Sequence, residues 1–338
     1  MPLCYEEIVS HGSLGDPAEG LRRLVLRGSA AATARPGQFL HVRVSDRLEP
    51  LLRRPLSIAA IDRAREEVTV LYRVRGRGTE ALAQRQPGER LDVLGPLGNG
   101  FSLPEKGELW LVAGGIGIFP LYALAQAGLA RGLEVRLFWG GESRGFLESA
   151  GLGQWSDLRI PLHLSTMDGS LGDKGAVTVP LGGYLKLNQT GPAKESQAAR
   201  RGRSAEEARA AGSRRSAPGV EATEAEAAGV EALEAEVAGV ESAGGKRSAG
   251  GCPAGQPPRD LSWAVCGPRG MMQAVAELGV ARGFRVEVSL EERMACGVGA
   301  CLGCCVTVRD ERGRRSKRKV CQDGPVFPGR EVVWDVTE

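Results

Sequence analysis

A chain of 338 residues is long enough for two or three domains, and a net charge of +3 with only 5% aromatic residues excludes the basic, stacking-rich surface of a nucleic-acid binder. The start, Met-Pro-Leu-Cys-Tyr-Glu-Glu, has no charged segment followed by an apolar one, and no apolar run reaches the roughly 18 residues of a membrane span. A soluble, cytoplasmic, globular protein is expected, with neither membrane nor nucleic acid as partner.

Over residues 1–104 short β-rich runs (24–26, 39–44, 68–74 and 91–94) are cut by Pro36-Gly37 and Pro87-Gly88. That pattern predicts a small antiparallel β-barrel. Within it, Arg54-Pro55-Leu56-Ser57, Leu71-Tyr72-Arg73 and Gly78-Thr79 together offer a guanidinium for a pyrophosphate, a hydroxyl, an aromatic wall and a glycine that lets backbone approach a phosphate. Taken singly, each has an ordinary role: Arg54 in a surface ion pair, Tyr72 as a half-buried strand aromatic, Gly78 in a turn.

The texture changes over residues 105–288. A buried-strand run at 109–112 meets Ala113-Gly114-Gly115-Ile116-Gly117, then comes a helical stretch at 119–130 and a strand at 134–139. Strand, glycine turn, helix and strand make a βαβ unit of a Rossmann-like parallel α/β domain, continued by strands at 158–164 and 263–265. The turn carrying Gly114, Gly115 and Gly117 can offer amide donors to a dinucleotide phosphate, although it departs from the full GxGxxG fingerprint. Cys266-Gly267-Pro268 repeats the arrangement, setting a thiol where ligands of open α/β sheets bind; its plainer role is a buried small hydrophobe.

Residues 188–259 interrupt this domain with Ala, Glu, Gly, Arg and Ser, and with a ten-residue echo beginning at Gly219, Gly229 and Gly239. So few bulky apolar residues predict a disordered or partly helical insertion. A tether or docking role is the alternative.

The last stretch, 289–338, holds the strongest signal. Cys296, Cys301 and Cys304 lie on one glycine-rich loop and Cys321 follows later, a spacing that suits the four thiolate ligands of a 2Fe-2S cluster. Gly297, Gly299 and Gly303 allow backbone amides to turn toward sulfur. A structural zinc site is the rival, though only one CxxC is present, Cys301 to Cys304. Cysteines crowded here suit metal ligation in a reducing compartment better than a disulfide framework. Cys305 reads as a packed thiol, and the basic run 312–319 as a solvated hairpin tip.

In order, RPLS, YR, GT, AGGIGI and CGPRGMM resemble the ferredoxin-NADP reductase superfamily. The tail from Ser289 through Cys304, with Val320-Cys321-Gln-Asp-Gly-Pro-Val-Phe327, is similar to the electron-transfer subunits of NAD-dependent (class 1B) dihydroorotate dehydrogenases. The resemblance implies an FAD barrel contacted through Arg54, Pro55, Leu56, Ser57, Leu71, Tyr72, Arg73, Gly78 and Thr79. It implies a nicotinamide site at Gly114, Gly115, Gly117, Cys266, Gly267 and Pro268, with NAD as electron acceptor, and a cluster on the four cysteines. It also implies a separate FMN-containing catalytic subunit that oxidises dihydroorotate, in a heterotetramer with two of each subunit. Phe119 and Arg269-Gly270 depart from the family pattern beside the nicotinamide site. A ferredoxin-NADP reductase-like subunit of another flavin and iron-sulfur complex, electron-bifurcating or linked to sulfide or sulfite, remains the alternative within this architecture, and a zinc-stabilised scaffold module the alternative outside it.

Overall fold

The computed structural model describes residues 3–45, 49–189 and 260–334, with side chains as far as 187 in the second stretch. The insertion expected over 188–259 therefore lies outside the described residues, except that its first two residues end the helix Thr178–Gln189.

Strands β1 (Leu3–Ser13), β2 (Leu21–Arg27), β3 (Phe39–Val42), β4 (Arg54–Asp62), β5 (Glu67–Arg73) and β6 (Arg90–Leu97) close into a barrel in the order β1-β2-β5-β4-β3-β6. Every pairing is antiparallel. Strict alternation along β5 and β6 sends every second side chain inward, the period a half-buried strand requires. Ile8, Leu24, Leu26, Leu40, Val42, Ile58, Val68 and Val93 fill the interior. The RPLS run opens β4, with Ser57 opposite Phe39 and Pro55 opposite His41.

The second region is an open sheet of β7 (Glu108–Gly114), β8 (Glu134–Gly141), β9 (Leu162–Thr166), β10 (Asp173–Lys174), β11 (Leu261–Cys266) and β12 (Arg285–Ser289), all parallel. β9 starts four residues later than the sequence predicts, because Leu158 caps the helix Leu152–Asp157 and its N–H closes on the Trp155 carbonyl at 3.2 Å. Beyond the sheet, β13 (Cys305–Arg309) and β14 (Arg315–Lys319) form a hairpin whose second strand is almost wholly exposed, the solvated basic ribbon expected there. The chain then returns, and β15 (Val326–Pro328) pairs antiparallel with β12 at the sheet edge. The sheet order is β10-β9-β8-β7-β11-β12-β15.

That order places the site. From β7 the chain steps outward through β8, β9 and β10, then resumes on the other side of β7 with β11 and β12. The reversal falls between β7 and β11, and ligands of open α/β sheets sit at the carboxyl ends of the strands flanking such a switch. Those ends are Gly114 and Cys266.

Candidate functional site

A cavity of about 450 Å³ opens between barrel and sheet. From the barrel it is lined by Pro55, Leu56, Ser57, Leu71, Tyr72, Arg73 and Thr79, seven of the nine residues that the resemblance assigns to FAD. The other two meet beside it: the Arg54 guanidinium lies against Gly78 so closely that a Cβ at that position would collide with it. Glycine is required there by close approach, and its absence of a side chain is what seats the cation.

The polar groups of this wall differ in what they have left to give. Arg54 donates to the Leu52 carbonyl at 2.6 Å and the Arg53 carbonyl at 3.4 Å, contacts that leave its charge available to an anion. Arg73 is already paired with Glu19 at 3.2 Å and Glu142 at 3.4 Å. The Tyr72 hydroxyl bonds to His11 Nε2 at 2.8 Å, and burial pushes its pKa up. Thr79 Oγ1 accepts from the Arg75 N–H at 2.9 Å and donates to the Gly76 carbonyl at 3.0 Å. Tyr72 and Thr79 therefore shape the wall more than they supply free hydrogen bonds.

At the switch point, the turns after β7 and β11 touch. A Cβ at Gly117 would strike the Cys266 carbonyl, and one at Gly114 would lie 2.8 Å from both Pro268 and Met271. Gly115, by contrast, has φ +55° and open space around it. Cys266 is buried, and that burial pushes its thiol far up the pH scale. It stands in register with Ala113 on one side and Ser289 on the other. Ile116, Phe119 and Pro120 carry this edge into the cavity, so the departure at Phe119 becomes an apolar part of the wall.

The opposite wall is residues 289–294, which run from the end of β12 toward the first cysteine. Sequence reasoning missed these as cavity residues. Glu291 is the most consequential: burial raises its carboxyl above the usual range, and Arg75 offsets this only in part. Nothing local in Ser-Leu-Glu-Glu marks one glutamate as lining a cavity, because the segment's place follows from the pairing of β12 with β11.

The four cysteines are free thiols. Their sulfurs accept backbone N–H groups: Val298 and Cys301 donate to Cys296 Sγ at 3.5 and 3.4 Å, Gly299 to Cys321 Sγ at 3.2 Å, and Gly303 to Cys301 Sγ at 3.5 Å. Burial alone would push the Cys296 thiol up; donors from Val298, Cys301 and Ala300 outweigh it and hold it well below the ordinary thiol range. Cys321 goes the other way, raised by burial and by Cys304 beside it. Among the described residues no three Cys, His, Asp or Glu side chains gather as a single-ion site. The four thiols influence one another, Cys301 acting on Cys296 and both Cys304 and Cys296 on Cys321. Four neighbouring thiols in a cradle of N–H donors fit a two-iron cluster, whose hydrogen bonds to sulfur tune its potential. Lys319 Nζ ties the loop to β14 through the Gly299 carbonyl. Cys305 opens β13, and none of these N–H···S bonds reaches it.

A closed antiparallel barrel, a parallel sheet with its ligand edge facing that barrel, and a cysteine loop leading out of the shared cavity define an electron-transfer protein with the ferredoxin reductase fold. The NADH-dependent reduced ferredoxin-NADP oxidoreductase shares this fold over 99% of this chain and 91% of its own, with a TM-score of 0.67 at 23% identity. A ferredoxin NADP+ reductase from Neisseria gonorrhoeae shares it over 84% and 92%, with a TM-score of 0.51 at 15% identity. Residues 291–333 match the iron-sulfur cluster binding domain of dihydroorotate dehydrogenase B. The dihydroorotate dehydrogenase B (NAD(+)) electron transfer subunit of Bacillus cereus (strain B4264) is 33% identical over 324 residues, covering 94% of each chain. That of Desulforamulus reducens is 31% identical over 306 residues, covering 90% of this chain and 89% of its own. The chain belongs to the family of dihydroorotate dehydrogenase B electron transfer subunits.

Proposed function

We propose that this chain takes electrons singly from a separate FMN-containing subunit that oxidises dihydroorotate and delivers them in pairs to NAD⁺, in the service of pyrimidine biosynthesis. The observation that carries the reading is one continuous segment. It leaves β12 at Ser289, in register with Cys266, lines the cavity through Met294 and enters the cysteine loop at Cys296. Nicotinamide edge, flavin cavity and cluster loop are thus joined by fewer than ten residues of chain, which favours electron transfer between them.

FAD, when bound, exchanges a two-electron hydride with nicotinamide and single electrons with an iron-sulfur cluster. The chain's own residues do the rest. Arg54, seated on Gly78, meets the pyrophosphate; Phe39, Leu56, Ile116, Phe119 and Met294 exclude water from the cavity. Ser57 lies on the barrel wall, Cys266 and Glu291 on the sheet side, and both of the latter hold their protons further up the pH scale than a free thiol or carboxyl does. The paired turns at Gly114–Gly117 and Cys266–Pro268 receive the nicotinamide nucleotide, and Cys296, Cys301, Cys304 and Cys321 hold the cluster.

Leu302, 75% exposed in the middle of the cysteine loop, supports docking of the FMN subunit over the cluster. We assign the assembly two copies of each subunit. Free cysteines suit a reducing cytoplasm, and no helix among the described residues is long and apolar enough to cross a membrane.

The test is co-purification with an FMN-containing, dihydroorotate-oxidising subunit, followed by dihydroorotate-dependent NAD⁺ reduction. The isolated chain is expected to pass electrons from NADH to a dye without oxidising dihydroorotate, the complex to do both. Replacing Cys304 by Ser should abolish only the dihydroorotate-to-NAD⁺ route. Equal rates in wild-type and variant complexes would mean that the cysteines serve structure alone.

A further inference from the structure

Strand β3 shows its two faces to different parts of the molecule. Leu40 and Val42 belong to the barrel core, while Phe39 belongs to the separate apolar cluster that also holds Cys304 and Cys321. Alternation therefore sets His41 on the cysteine side, one step along from Phe39, which lines the flavin cavity. His41 is wholly buried, and neither ring nitrogen has a hydrogen-bond partner among the described residues. Arg53, the nearest cation bonded to this residue, donates to its backbone carbonyl at 3.4 Å and is otherwise engaged by Asp92 at 2.8 Å.

What lies against the ring is the cysteine loop. Gly297, with φ +69° and next in sequence to Cys296, packs on it so tightly that a Cβ would run into Nδ1, Cε1 and Cγ. In either tautomer the imidazole carries an N–H. Buried polar hydrogens are nearly always satisfied, and the barrel offers this one no acceptor. The missing acceptor lies on the side where thiolates and sulfide would be.

We propose that His41 is a positioning residue for the iron-sulfur cluster, its ring N–H donating to the sulfur shell held by the 296–304 loop. The assignment rests on the function proposed above. A hydrogen bond to sulfur draws negative charge away from the irons and makes the cluster easier to reduce. Packed against the cysteine loop and two residues from the cavity-lining Phe39, His41 would thereby set the potential step between the two redox sites, while Gly297 provides the close approach.

The composition makes this testable, because the chain has three histidines. His11 is engaged by Tyr72 and the Arg85 carbonyl, both at 2.8 Å, and His163 stacks on Phe138 in the sheet. In ¹⁵N-histidine-labelled holoprotein, pulsed EPR of the reduced cluster should show weak coupling to imidazole nitrogen. His41→Leu should lose that coupling and move the cluster midpoint to a more negative potential, with the FAD midpoint unchanged. His41→Asn, whose amide replaces Nδ1 as a donor, should recover much of the shift. A normal reduced-cluster signal without ¹⁵N coupling in the wild-type protein would overturn the role of His41 and leave the cluster assignment standing. No iron-sulfur signal at all would overturn both. Should His41→Leu fail to load iron, retention of the cluster in His41→Asn supports the donor, and loss in both variants, like an unchanged midpoint in a loaded His41→Leu, argues for packing alone.

Discussion

The barrel and the cysteine loop solve the same problem, burying polar backbone, by different means. In the barrel each strand pays its N–H and C=O groups into a neighbouring strand, and an aliphatic interior of Ile8, Leu24, Leu40, Ile58 and Val70 holds the ring closed. In the loop from 296 to 304 no strand or helix forms, and several amides turn instead toward sulfur. One region carries its stability in register and apolar contact; the other places donors around a group that must come from outside. Cofactor loss should therefore be tolerated by the first far better than by the second.

The largest expected effect tests that contrast directly. Cys301→Ser should reduce cluster iron and sulfide to background while FAD remains bound, because a hydroxyl is a poor substitute for thiolate and the two sites draw on different walls. Hydrogen exchange should rise in the loop and stay unchanged in β1–β6. Cys305→Ser, checked by the same iron assay, should leave the cluster intact. Deprotection spreading through the barrel would break the comparison.

Within the barrel wall, Arg54 and Arg73 provide a sharper test. Arg54→Ala should weaken FAD binding about ten- to hundredfold, the equivalent of ~1.5–3 kcal/mol for a lost charge-assisted hydrogen bond. Arg73→Ala should cost less, since Arg73 is already neutralised by Glu19 and Glu142. Titration of apoprotein with FAD, followed by flavin fluorescence, separates the two. Equal losses would mean that the ion pairs of Arg73 open when flavin binds.

At the sheet edge, Gly117→Ala should force the two turns apart at a cost of about 1–3 kcal/mol. The expected result is slower flavin reduction at low NADH concentration with unchanged flavin and iron content, measured by stopped flow. Unaltered kinetics would remove the turn contact from the nicotinamide site.

The smallest effect lies in the barrel core. Glu6 is wholly buried, with Oε1 accepting from the Ala30 N–H at 3.1 Å and Oε2 without a partner among the described residues. Burial raises its pKa above 4.5, against the opposing hydrogen bonds of Ala30 and Ser29. In the window above 4.5 the folded chain keeps a proton that the unfolded chain has released, so stability falls as pH rises, by at most about 1.4 kcal/mol per unit. Glu6→Gln should flatten that slope in denaturant unfolding measured on either side of the window. An unchanged slope would assign it to other groups.

Much of this was legible before the fold. Short β-rich runs announced β5 and β6, Pro-Gly pairs announced the barrel's turns, and the strand-turn-helix texture around Gly114 announced the parallel sheet, because each is a local pattern with a local cause. The start of β9 was misplaced because an apolar run at 158–164 does not reveal where a helix lets go. The place of Glu291 on the cavity and the burial of His41 were not legible either. Neither has a neighbour in sequence that explains its position.

By itself the sequence determined the four-cysteine spacing, the guanidinium, hydroxyl and glycine of the barrel motifs, and the glycine turn that opens the sheet, since these depend on residue type and short separation. Tertiary structure alone decided that β3 faces the barrel core with Leu40 and the cysteine loop with His41. It alone decided that β11 lies beside β7, bringing Cys266 to Gly117, and that residues 289–294 wall the cavity before entering the cluster loop. The reason is physical: register between strands distant in sequence settles which of two faces a side chain occupies, and a shift of one residue would send every one of them to the other side.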